Sequence, residues 1–174
     1  GNISKEKLES CINSDLANNY GNLCQRVVAF CQKNMNSTIK KEINFETDDD
    51  ILLSSIINNY NNIINYIDNQ DINSYINFVV ERLFAANKYF NDQEPWKKKT
   101  DKVRLNTIVY TSLELIRKIT ILLYPVMPET AAKVLNTFNI KEKEINILSL
   151  KNNEFLKQNN QLNKLDILFK KIEK

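Results

Sequence analysis

The 174-residue sequence contains no histidine, only two glycines, three prolines and a single tryptophan. Without histidine, imidazole acid–base catalysis, His-containing triads and His metal sites are all excluded. With Gly1 and Gly21 as the only glycines, no glycine-rich phosphate loop can form. Cys11, Cys24 and Cys31 form no C-x-x-C pair, which speaks against a zinc knuckle. No apolar run reaches the ~20 residues of a membrane span. The nearest candidate, 107–127, is broken by Glu114, Arg117 and Lys118. Three cysteines without a secretory signal point to reduced thiols in the cytoplasm. No catalytic residue and no metal or cofactor site is expected in this chain.

The scarcity of glycine and proline leaves long helices joined by few loops as the natural reading. The length suits one domain, 1–174, with a core bundle over 1–140 and a C-terminal extension, 141–174, folding back on it. The start at Gly1-Asn2-Ile3, without methionine, is read as a cut in a longer polypeptide. A net charge of +3 permits nucleic-acid binding without demanding it. Asparagine and isoleucine are used heavily, yet the apolar positions stay periodic, so the bias is not a prion-like tract.

A short helix is expected over 4–11 and a long one over 13–33. In the long helix Leu16, Tyr20, Leu23, Cys24, Val27, Val28 and Cys31 share one side. Asn22 and Arg26 lie on the other side, one turn apart, where they can reach one target. This pair is either a solvated face or an amide and a guanidinium set to read the edge of an exposed base. Gly21 inside the helix suggests close approach of another backbone. Residues 34–47 read as a loop, and Asp48-Asp49-Asp50 as acidic caps of the next helix. Helices follow over 51–69, 71–91, 101–124 and 129–138. That over 101–124 is apolar on nearly every side and is expected at the centre. Asn87, on the edge of its helix's apolar face, reads as a buried amide fixing the following loop, with a direct role in binding as the lesser alternative. No strand pattern is evident.

Pro95 disfavours helical geometry at Glu94, so Trp96 falls in or just after a turn. A lone tryptophan is either core or, beside Lys97-Lys98-Lys99, an aromatic platform for a base with ammonium groups near the phosphates. Lys99 reads as solvated.

Three separated segments carry a family resemblance. They are Asn13-Ser14-Asp15-Leu16-Ala17-Asn18-Asn19-Tyr20-Gly21-Asn22-Leu23 with Arg26; Ala86-Asn87-Lys88-Tyr89 with Asp92 and Pro95-Trp96; and Leu122-Leu123-Tyr124-Pro125-Val126-Met127-Pro128-Glu129-Thr130. In order and spacing they resemble the helical anticodon-binding domain of methionyl-tRNA synthetase, a class I enzyme. The third segment is shared more loosely by the valine, isoleucine and leucine enzymes. The resemblance implies an all-α bundle whose partner is the anticodon loop (CAU) of methionine tRNA. It implies that Trp96 stacks on the first anticodon base, a cytosine, and that Asn22 and Arg26 bond its edge. It further implies a separate catalytic domain, absent here, that uses ATP and magnesium to attach methionine, and against which this domain would sit. The alternatives are the anticodon domain of another class I synthetase and a helical bundle that binds proteins.

Overall fold

The computed structural model describes residues 4, 6–7, 14–154, 156 and 160–165. The helix expected over 4–11 lies largely outside them, as does Cys11. The described chain is mostly helical. We label the helices α1 (Ser14–Met35), α2 (Thr47–Ile57), α3 (Tyr60–Asp68), α4 (Ile72–Gln93), α5 (Lys102–Leu123) and α6 (Pro128–Thr137), with short 3-10 turns at Pro95–Lys97, Glu142–Glu144 and Ile147–Lys151.

Helix α5 is the axis of the bundle. Asp101 caps it, accepting from the Arg104 amide at 3.1 Å, and it ends one residue before Tyr124-Pro125. Every residue from Arg104 to Leu123 is buried, and α1, α2, α4 and α6 pack around it. Each Leu, Ile or Val buried there contributes about 1.5–3 kcal/mol. Besides Arg104 near its start, three charged residues, Glu114, Arg117 and Lys118, lie in this apolar surround. Arg117 Nε donates to Glu114 Oε1 at 2.9 Å, and its terminal nitrogen donates to the Asn152 carbonyl at 2.6 Å. Glu114 also accepts from the Leu156 amide at 3.1 Å, and Lys118 donates to the Asn153 side chain. The segment after α6 thus closes over the charged face of α5, burying Leu150 and Leu156 as it does so.

Helix α1 buries the apolar face its period predicts, Gly21 included. Tyr20 shares a 2.5 Å hydrogen bond with Thr120 in the last turn of α5. Cys24 and Cys31 are free, buried thiols, each pushed up to about 12 by burial.

Two expectations are corrected. The helix over 51–69 is two helices, broken at Asn58-Asn59. The Asn59 side chain donates to the Ser55 carbonyl at 2.7 Å, taking the acceptor its own amide would use in a continuing helix. That amide turns instead to Ile56, three residues back. The chain also contains a short antiparallel pair, β1 (Thr38–Ile39) with β2 (Asn160–Gln161), in the register Thr38 to Gln161 and Ile39 to Asn160. Among the described residues no helix is long and apolar enough to cross a membrane.

Candidate nucleic-acid interface

The C-terminal end of α4 is built to turn the chain back. Asp71 starts the helix, accepting from the Ser74 amide at 3.2 Å. At the other end Glu94 adopts φ 47° and ψ 58°, a left-handed conformation that costs a residue with a Cβ about 1–2 kcal/mol. Pro95, barred from continuing α4, opens the 3-10 turn that carries Trp96. The turn lays the indole against Phe90, with ring centres 6.1 Å apart and planes at 65°. Trp96 nevertheless remains 41% exposed.

Arg26 completes the cluster from α1. Its guanidinium carbon stands 4.9 Å from the centre of the Phe90 ring and 5.9 Å from that of Trp96. Such contacts are worth about 0.5–1 kcal/mol at exposed positions. The guanidinium also donates to the Asn91 side-chain carbonyl. Arg26 and Trp96, distant in sequence, therefore share one floor, the ring of Phe90, which packs edge-on against Phe30 beneath. Asn22 is exposed one turn before Arg26 and lines a groove of about 930 Å³ between α1 and α4 with Asn19, Asn87, Asn91 and the exposed Phe84. Among the described residues Asp15 is the one ionisable residue in its lining. Asn87 thus lines a groove and is only half-buried, contrary to its reading as a buried loop anchor.

A buried ion cluster anchors this turn. Arg104 of α5 grips Asp49 with two bonds, of 2.6 and 3.0 Å, and donates to Gln93 Oε1 at 2.7 Å. Tyr89 donates to the same aspartate, and the Glu46 amide does so at 2.8 Å. Burial alone would raise the Asp49 carboxyl, but the bonds from Arg104, Tyr89 and Glu46 outweigh it and hold the group below its ordinary value. Asp49 is thus both a helix cap and a buried counter-ion. Gln93 also accepts from Lys98 through its carbonyl and donates to Asp48 at 3.4 Å, so the residue preceding Glu94 is held at three points.

The three lysines of the run have three fates. Lys97 pairs with Glu94 at 3.3 Å, Lys98 folds back onto Gln93, and Lys99 is exposed. Phe90 and Asn91 are the participants that the sequence reading did not identify. Phe90 follows the core period of α4, and nothing local marks it as a platform. Asn91 gains its role only by standing across from Arg26.

A family model described as the anticodon binding domain of methionyl tRNA ligase matches residues 46–174. The methionine–tRNA ligase of Mycobacterium leprae is 33% identical over 149 residues, covering 83% of this chain and 28% of the relative. That of Thermotoga maritima is 33% identical over 145 residues, covering 82% of this chain and 23% of the relative. The crystal structure of the free Mycobacterium tuberculosis methionyl-tRNA synthetase superposes with a TM-score of 0.83 at 27% identity, over 98% of this chain and 35% of that one. The structural likeness therefore includes α1, which precedes the region matched by the family model. The chain spans about a quarter of the length of these curated relatives. It belongs to the methionyl-tRNA synthetase family, as its helical anticodon-binding domain.

Proposed function

We propose that this domain selects methionine tRNA through its CAU anticodon, with the first base stacked on Trp96 and its edge read by Arg26 and Asn22. The observation that carries the reading is the 5.9 Å approach of the Arg26 guanidinium to the exposed Trp96 ring. A base lying on that ring meets a donor-only group at its edge. Cytosine offers acceptors at O2 and N3, whereas uracil presents an N3–H donor that a guanidinium cannot satisfy. The Asn22 amide supplies both a donor and an acceptor from the same helix face. Loop bases suit this design because they can be splayed and stacked, unlike bases within an RNA duplex. In this reading the chemistry belongs to a cytoplasmic parent enzyme, whose catalytic domain joins methionine to tRNA with ATP and magnesium.

The experiment is titration of the domain with anticodon stem-loops, followed by fluorescence of Trp96, the sole tryptophan. Saturable quenching by a CAU stem-loop, with much weaker binding of the valine and isoleucine stem-loops, is the expected result. Equal binding of all three would overturn the assignment.

A further inference from the structure

A second depression, of about 350 Å³, lies where the end of α1, the loop after it and the start of α5 meet. Lys40, Lys99 and Lys102 line it together with Asn34, Asn36 and Asn106, and among the described residues no Asp or Glu does. All three lysines are exposed, and among the described residues none has an ion-pair partner. Three ammonium groups around one hollow repel one another unless an anion joins them.

The hollow is held in shape rather than left to chance. Buried Asn106 donates to the Lys40 and Glu42 carbonyls at 3.0 Å each and accepts from the Lys40 amide at 2.8 Å. Asn36 and Ser37 both adopt left-handed φ, 52° and 56°, without glycine's freedom. The Ser37 amide is tied to the Cys31 carbonyl at 3.1 Å, and the Ser37 carbonyl accepts from the Leu162 amide at 2.6 Å. A strained turn and a buried amide therefore set the Lys40 backbone in place beside Lys99 and Lys102.

The position relates the hollow to the base site. The Trp96 turn leads directly into Lys99, and α1 runs from Arg26 to Asn34 over about 12 Å of helix. One end of this ridge thus offers aromatic rings, amides and the Arg26 guanidinium, and the other offers clustered ammonium groups with side-chain amides. Lysine suits phosphate as a compact charge with three donors.

We infer that this three-lysine hollow takes a backbone phosphate of the RNA strand that flanks the anticodon triplet. The inference rests on the proposed anticodon reading. A strand whose base lies on Trp96 would pass its backbone along the ridge, and the hollow would fix its direction irrespective of sequence.

The test compares wild type, Lys40→Ala/Lys102→Ala and the charge control Lys133→Ala by Trp96 fluorescence, at several salt concentrations. The ligands are a CAU stem-loop and the bare CAU trinucleotide. One lost single-strand phosphate contact flattens the slope of log affinity against log salt by about 0.7, which is about fivefold in affinity near 0.1 M salt. The double variant should show that loss with the stem-loop and none with the trinucleotide, while Lys133→Ala changes neither. Unchanged stem-loop binding, or an equal loss on the trinucleotide, would overturn the phosphate site and leave the base site standing. A wild-type domain that binds no RNA would overturn the anticodon reading and this inference with it.

Discussion

Arg26 and Trp96 stand 5.9 Å apart, guanidinium carbon to ring centre, over the shared floor of Phe90. In the proposed reading, the free domain holds the ring on which a base would stack next to the group that would read its edge.

Asn91 restrains Arg26 through the hydrogen bond it accepts. Asn91→Ala should free the guanidinium and weaken the CAU stem-loop by roughly two- to tenfold, the usual cost of immobilising one long side chain. In an Arg26→Ala background the same change should do almost nothing. A double-mutant cycle on stem-loop affinity checks this, and additive losses would show that Asn91 does not act through Arg26.

The Asp49–Arg104 pair joins α2 to α5 and, through Gln93, steadies the turn bearing Trp96. Asp49→Asn takes the nearer carboxylate from a buried guanidinium, leaving that of Glu46 at 3.5 Å, and should cost up to about 3–5 kcal/mol. Because the Asp49 carboxyl is held below its ordinary value in the fold, its contribution is present at neutral pH. It is lost as pH falls below about 4 and through the depressed native value. Denaturant melts from pH 7 to pH 3 should show a stability gap between wild type and Asp49→Asn that shrinks with acid. A gap independent of pH would contradict the linkage.

Lys118 is buried in α5, and desolvation pushes its ammonium down to about 8, despite the nearby Glu114 carboxylate. Here the unfolded chain binds the proton more tightly than the fold does. The burden on stability is therefore full below pH 8 and is relieved as pH rises toward the ordinary lysine value of about 10.4. Lys118→Met should remove this dependence, so that the stability difference between variant and wild type narrows from pH 8 to pH 10. Parallel curves across that window would place the native ammonium at its ordinary value.

Sequence alone locates α5 almost to the residue, because Asp101 caps one end, Pro125 closes the other, and the all-round apolar pattern between them admits only a central helix. The inward face of α1 follows from its period in the same way. The break at Asn58-Asn59 is hidden because Ile56, Tyr60 and Ile63 keep helical spacing straight through it. The β1–β2 pair is two residues long on each side, too short to show alternation, and depends on segments far apart in the chain. At the site, Asn22, Arg26 and Trp96 carry local signals: helix spacing for the first two and a turn after proline for the third. The floor supplied by Phe90, the restraint from Asn91 and the gathering of Lys99 with Lys40 and Lys102 arise only from tertiary packing, and no spacing announces them.

The most direct test of the account is base discrimination by three variants at fixed salt. Stem-loops differing only in the first anticodon base are titrated against Trp96→Ala, Arg26→Ala and Lys97→Ala. Trp96→Ala lacks the fluorescent reporter, so affinities are read on labelled RNA. Stacking is worth about 1–3 kcal/mol per base, so Trp96→Ala should lose roughly tenfold or more for every first base. Lys97→Ala should weaken all stem-loops slightly and equally. Arg26→Ala should penalise cytosine most and narrow its advantage over uracil. If Arg26→Ala and Lys97→Ala instead produce the same uniform loss across all first bases, Arg26 contacts the backbone and does not read the base.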